Sequence, residues 1–374
     1  MMIYFDSAAS YPLLEDVKED MLCSNNILFA NPSSSHQLGV ESSEIIEHSR
    51  QLIADAINAL PSEIIFTSGA TESNNLAIKG HFSLADYRSR KHIIISAYEH
   101  KCVHAITDFL VRTADVSVSV VKPNCDGIVS SQAVSELIRP ETSLVSVMHV
   151  NNELGTVNPL KEIGQLCYEH NIRFHTDAAQ SFMKELVDVD ELNIDYLSIS
   201  AHKIGGPKGV GAIYIREKRN LMLEPVIHGA GQEDGLRGGT LATTLIKAFG
   251  KAIEMFPRKY AHILDQDFKS HFIVALRELN VPYILNGHSI PSLLSVTFPD
   301  TDIQSLIRST QDKFSLAVGS ACSSKEIEAS HVLTSIGLDR TTADKTLRLS
   351  FHHGNEYTDI EQLAVEIKKH THFS

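Results

Sequence analysis

The chain has 374 residues, 43% of them hydrophobic, enough to bury one large core and a smaller second one. Its 33 Lys and Arg stand against 46 Asp and Glu, a formal net charge of -13. That balance argues against a broad basic surface, and so against direct binding of nucleic acid or of an anionic membrane.

The opening Met1–Ser7 lacks a basic stretch followed by an apolar core, and no uninterrupted apolar run is long enough for a membrane helix. A cytoplasmic location without a membrane partner is the expectation. The five cysteines, Cys23, Cys102, Cys125, Cys167 and Cys322, are odd in number and lack paired metal-ligand spacing. They fit reduced thiols better than a disulfide scaffold or a metal site.

In chain order, apolar residues recur at helical spacing from Ser34 to Leu60, where Pro61 should stop the helix before a short strand at Glu63–Thr67. Gly69-Ala70-Thr71-Glu72 opens the next helix. Strands are expected at His92–Ser96, Ser117–Val121, Ser143–Met148 and Ile172–His175, with helices at Ser130–Ile138 and Leu160–His170 among them. This alternation favours a layered α/β domain with a mostly parallel sheet and ligand groups gathered at the strand ends.

Two further strands, Asp195–Ile199 and Val210–Ile215, flank a lysine turn, and a polar, glycine-rich stretch runs from Gly229 to Gly239. A helix from Leu241 to about Pro257 should lead into a second domain with strands at Ser292–Phe298 and Thr346–Phe351 and a closing helix at Asp359–Lys369. The expected division is a large domain over 13–256 and a smaller α/β domain built from 1–12 and 257–374.

Within this frame Lys203 lies between an apolar strand and the turn Gly205-Gly206-Pro207, where its amine is suited to Schiff-base formation and proton transfer. Cys322, in Gly319-Ser320-Ala321-Cys322-Ser323-Ser324, has the polar setting of an accessible nucleophile. The amides of Gly69-Ala70-Thr71 and the Thr71 hydroxyl stand at a positive helix end suited to phosphate. Arg348, in a strand, presents planar donors that match a carboxylate. Taken singly, a lysine is most often a surface charge, a histidine a satisfied polar partner and a cysteine a small buried hydrophobe. Their joint order is what points to chemistry: sulfur handled on a pyridoxal cofactor.

The motif chain resembles the cysteine desulfurases among the class-V aminotransferase-like, fold-type-I pyridoxal phosphate enzymes. It runs from Asp6 to Arg348 through Asn31-Pro32-Ser33-Ser34, Thr67–Glu72, Glu99-His100-Lys101, His149–Gly155, His175–Gln180, Ser198–Gly209, Arg237-Gly238-Gly239-Thr240 and the Cys322 segment. The resemblance implies pyridoxal 5'-phosphate attached to Lys203, Asp177 on its pyridine nitrogen, Gln180 on its phenolic oxygen and His100 stacked on its ring and moving a proton. It further implies phosphate contacts from Ala70, Thr71, Ser200 and His202, with Thr240 reaching in from a second subunit of a homodimer. Arg348 is matched to the substrate carboxylate, Asn152 to substrate and cofactor orientation, and Asn31 to the substrate entrance. The family commonly has serine where this chain has Gly238.

The implied reaction takes L-cysteine to L-alanine and leaves a persulfide on Cys322 for an acceptor protein. Gly-Ser-Ala-Cys-Ser followed by Ser330-His331-Val332-Leu333 resembles the group with a longer cysteine loop. Related enzymes supply sulfur to iron–sulfur assembly, transfer-RNA thiolation or DNA phosphorothioation. Selenocysteine lyase activity, a transaminase and a cofactor-holding persulfide scaffold are the alternatives. Cys102, two residues from His100, is the thiol most easily mistaken for the nucleophile.

Overall fold

The computed structural model describes residues 2–24, 28–84, 90–217, 223–318, 320–323 and 326–372, with the backbone alone for 320–323 and 326–329. Its centre is a seven-stranded sheet in the order Ile64–Thr67, Gly211–Ile215, Tyr196–Ser200, Arg173–Asp177, Thr142–Ser146, His92–Ser96, Ser117–Val121. Gly211–Ile215 runs antiparallel to both of its neighbours, and every other pairing is parallel. The fold is therefore the layered α/β type-I architecture with a mostly parallel large sheet.

Apolar strands form because the sheet is buried on both faces. In His92–Ser96, Ile93 and Ile95 join one core with Leu76, Val103 and Ile106, while Ile94 joins the other. The two-residue period of a strand divides them in this way. The helices Ala70–Ser83 and Lys101–Ala114 cover the first face. The second face carries the larger core, which continues without a break into the C-terminal part of the chain.

Helix Gln37–Ile57 starts on His36, whose Nδ1 accepts from the Gly39 amide at 3.2 Å, and ends on Asn58 in the left-handed conformation. It therefore stops short of Pro61, which opens a separate 3-10 turn, Pro61–Glu63. Helix Thr243–Gln266 does the reverse: it continues through Pro257, beyond the expected end. The buried stripe Phe249, Ile253, Phe256, Tyr260, Ile263 keeps its helical spacing across the proline, and packing outweighs one lost backbone bond.

A second, antiparallel sheet is ordered Ala317–Val318, Thr346–Ser350, Leu293–Thr297, Ile284–Leu285. The N-terminal Ile3–Tyr4 pairs in parallel with Phe314–Ser315, and Asp6 bridges to Ser350. The chain start is thereby laid beside Arg348. Ser320–Ser323 pairs antiparallel with Glu326–Ala329, Cys322 opposite Ile327. Gly319, Ser324, Lys325 and the side chain of Cys322 lie outside the described residues. Among the described residues no helix is long and apolar enough to cross a membrane.

Candidate active site

The parallel strands deliver their C-terminal ends to one cleft of about 560 Å³. Ala70, Thr71, His100, Asn152, Asp177, Gln180, Ser200, His202, Lys203 and Arg348 all line it. Asn31 and Thr240 do not: each is exposed, Asn31 ahead of helix Gln37–Ile57 and Thr240 at the end of the glycine-rich stretch.

The strand Ile64–Thr67 turns into helix Ala70–Ser83 at Gly69, whose φ of 148° is open to glycine and to few other residues. Glu72 accepts from the Ser68 amide at 2.8 Å through one oxygen and from Arg237 Nε at 3.0 Å through the other. Arg237 thus anchors the glycine-rich stretch to the phosphate-suited helix end. Ser200, buried at the end of Tyr196–Ser200, lies on the opposite side of that turn, its hydroxyl 3.5 Å from where a Gly69 side chain would start.

Asp177 ends its strand 5% exposed. Its Oδ2 accepts from Asn74 Nδ2 at 2.8 Å and its Oδ1 from the Ala179 amide at 2.9 Å. Gln180 donates Nε2 to Ala8 O at 2.7 Å, and its Oε1 is buried without a partner among the described residues. Lys203 Nζ donates to Ala8 O at 2.7 Å and Ala9 O at 2.9 Å. Burial first, then the Arg348 charge, lowers its amine to about 8. An amine so placed yields its proton far more readily than a surface lysine.

His100 caps helix Lys101–Ala114, its Nδ1 accepting from the Cys102 amide at 3.2 Å. That bond leaves Nε2 as the proton-bearing nitrogen of the neutral ring. Burial holds its pKa below the usual imidazole value, against the opposing pull of Asp177. His202 is lowered to about 4, by burial and then by Lys203, and its Nδ1 meets Ser10 Oγ at 3.3 Å.

Arg348 spans the cleft wall. Nη2 pairs with Asp6 Oδ1 at 2.6 Å and Nη1 donates to Asn152 O at 2.9 Å. Its Nε and the Asn152 Oδ1 are buried without partners among the described residues. Cys102 also lines the cleft, its Sγ accepting from Asn74 Nδ2 at 3.3 Å, but burial pushes its thiol up to about 11. A thiol held in that range is protonated and a poor nucleophile at neutral pH.

Two parts of the site escaped the sequence reading. Asp6 opens the motif chain there without a role, and the carbonyls of Ala8 and Ala9 carry no side-chain signal at all. Gly238 has a local explanation: a Cβ there would lie 2.5 Å from both Cα and N of Gly229. Two backbone legs of the glycine-rich stretch cross at that point, with the Gly238 amide on Ile227 O at 2.9 Å.

Compared with known proteins, the chain matches the family model Aminotransferase class-V over residues 3–363. It is 40% identical over 380 residues to the mitochondrial cysteine desulfurase of Eremothecium gossypii, covering 99% of this chain and 76% of that one. With the cysteine desulfurase IscS of Pseudoalteromonas translucida it shares 39% over 381 residues, 99% of this chain and 92% of the relative. Among solved structures, SspA in complex with cysteine superposes with a TM-score of 0.85 at 44% identity, over 94% of this chain and 99% of that one.

Proposed function

The chain belongs to the class-V aminotransferase family and, within it, to the cysteine desulfurases, and from that premise we propose how its own side chains perform the reaction. A cysteine desulfurase converts L-cysteine to L-alanine and retains the sulfur as an enzyme persulfide. The family is pyridoxal phosphate-dependent, and the donor set of this cleft fits that cofactor. A helix end at Gly69-Ala70-Thr71 suits the phosphate, Lys203 the aldehyde and Asp177 the ring nitrogen, while the unpartnered Gln180 Oε1 lies in a wall that already awaits a polar group. When bound, pyridoxal phosphate supplies an electron sink for the substrate α-carbon.

The observation that carries the reading is the convergence of Lys203, Asp177, Gln180 and Arg348 on one cleft in a chain with this family membership. The unpartnered Arg348 Nε takes the substrate carboxylate, while Asp6 and Asn152 O hold the guanidinium in plane. Lys203 would hold the cofactor aldehyde and, as a free amine already depressed to about 8, serves as the base that removes the α-proton. His100 exchanges a proton through Nε2. The Cys322 thiolate forms an S–S bond with the substrate sulfur as the Cβ–S bond breaks; the β-carbon retains the electron pair and gains a proton, and the α-carbon takes back the one held by Lys203. L-Alanine leaves, and the persulfide passes to a sulfur-acceptor protein.

Thr240, exposed and not lining the cleft of its own chain, is assigned in this reading to the cleft of a second copy in a homodimer, and Asn31, likewise exposed, to the substrate entrance. The cytoplasm, which keeps thiols reduced, is the assigned compartment. The test measures L-alanine release from L-cysteine by the purified, cofactor-loaded enzyme, with protein-bound persulfide followed in parallel. Alanine with a persulfide that disappears in Cys322→Ala is the expected result. No alanine at full cofactor occupancy, with a reducing sulfur acceptor present, overturns it.

A further inference from the structure

Both ends of the segment that carries Cys322 are tied to the surroundings of Arg348. Upstream, Ala317 pairs across the small sheet with Arg348 itself, and Val318 with Leu347. Downstream, buried Ser330 closes the segment: its Oγ accepts from the amides of Val332 at 3.1 Å and Leu333 at 3.3 Å, and donates to Glu153 Oε2 at 2.5 Å.

Glu153 stands in a rigid turn, because Asn151 Oδ1 accepts from the amides of Glu153 at 2.9 Å and Leu154 at 2.8 Å. The preceding carbonyl, Asn152 O, is the one that Arg348 Nη1 holds at 2.9 Å. A second pin lies beside the first. His331 Nε2 bonds Glu99 O at 2.9 Å, and its ring packs edge-on to His104 with centroids 5.4 Å apart. The residue after Glu99 is His100, already in the cleft.

We propose that Ser330 and Glu153 are positioning residues that couple substrate binding to sulfur transfer. The Asn152–Glu153 turn is shared: the substrate arginine holds its carbonyl and the foot of the cysteine segment holds its carboxylate. A carboxylate taken up by Arg348 and the foot of the segment that carries Cys322 are thereby referred to one fixed turn. Neither Ser330 nor Glu153 lines the cleft; each acts through what it holds. The inference rests on the reading in which Cys322 accepts the sulfur.

The test uses the cofactor-loaded enzyme and two readouts: L-cysteine binding, from the change in cofactor absorbance, and single-turnover persulfide formation. Ser330→Thr keeps the hydroxyl. Ser330→Asp keeps a helix-capping acceptor but sets a second carboxylate against Glu153. The threonine variant is expected to match the parent. The aspartate variant is expected to keep its melting temperature and bind cysteine within about two-fold, yet form persulfide about 10- to 100-fold more slowly. Glu153→Ala breaks the contact from the other side and should show the same split, even where Ser330→Asp fails to fold. Parent-like persulfide rates in the contact-breaking variants overturn the coupling, as does a loss of cysteine binding in proportion to the loss of rate. Cys322→Ala separates the two levels: persulfide that persists there sinks the sulfur-acceptor reading itself. Persulfide lost there while the Ser330 variants stay fast sinks the coupling alone.

Discussion

At the scale of single residues, the cleft is arranged around donors left free by their neighbours. Arg348 spends one hydrogen of each Nη on Asp6 and Asn152 O, and its buried Nε–H has no partner among the described residues. Lysine in its place keeps the charge but has neither the fork nor the second attachment that fixes its plane. Arg348→Lys is therefore expected to raise KM for L-cysteine about 10- to 100-fold, the worth of one charge-assisted hydrogen bond. The maximal rate of alanine release should change much less. A KM equal to the parent's in steady-state assays would contradict the assignment of the carboxylate to Arg348. Lys203 was legible from the sequence because strand, lysine and glycine turn are consecutive. The Asp6–Arg348 pair was not, since its members are 342 residues apart and only the laying of the N-terminus onto the small sheet unites them.

At the scale of elements, the glycine-rich stretch is held against its own strain. Glu233 and Asp234 both adopt positive φ, 49° and 54°, which costs backbone energy in non-glycine residues. A buried ion pair compensates: Arg50 donates Nη1 and Nη2 to the two Glu233 oxygens at 2.8 Å and Nη1 to Ile64 O at 2.7 Å. The Phe66 amide completes Glu233 at 2.7 Å, and the guanidinium lies over the Phe66 ring, 4.8 Å from its centroid. Helix Gln37–Ile57, the edge strand Ile64–Thr67 and the stretch that presents Thr240 are joined at one point. Arg50→Met leaves Glu233 buried without its counter-charge and is expected to cost about 3–5 kcal/mol in urea unfolding. Adding Glu233→Gln should recover part of that loss, and a single variant as stable as the parent would disprove the clamp. Sequence reading placed the strands His92–Ser96 and Ser117–Val121 to the residue: the first is buried along its whole length, while the second is an edge strand whose serines and valines alternate. It read helix ends less well: Asn58 stops one helix before Pro61 does, and tertiary packing carries another past Pro257. The Arg50–Glu233 clamp joins residues 183 apart and had no local signature.

At the scale of the whole molecule, the buried titratable groups set how stability responds to acid. His81 is held down to about 3 and His92, His149, His175, His202 and His352 to about 4, each chiefly by burial. Below the ordinary imidazole value near 6.5, the unfolded chain takes up protons that these rings refuse in the folded state. Their contribution is present above pH 6.5 and is lost progressively as pH falls from 6.5 toward 4. Glu99 works in the opposite sense. Burial raises its carboxyl to about 8, so its contribution is fully present below 4.5 and is lost as pH rises through 8. Six rings against three raised carboxyls, Glu99, Asp195 and Glu185, leave the histidines dominant between about pH 4.5 and 6.5, each worth up to about 1.4 kcal/mol per pH unit. The net charge passes through zero near pH 5.8 and is positive below it, so repulsion is relieved in the upper part of this range and returns in the lower part, where it adds to the loss. Urea unfolding at a series of pH values is therefore expected to show stability falling from pH 6.5 to 4.5. Glu99→Gln should steepen that limb, since its share of the opposing slope is gone. A parent protein equally stable at both ends of the range, or a variant with a shallower limb, would mean that these rings are protonated within the fold and that the core beneath the cleft admits charge.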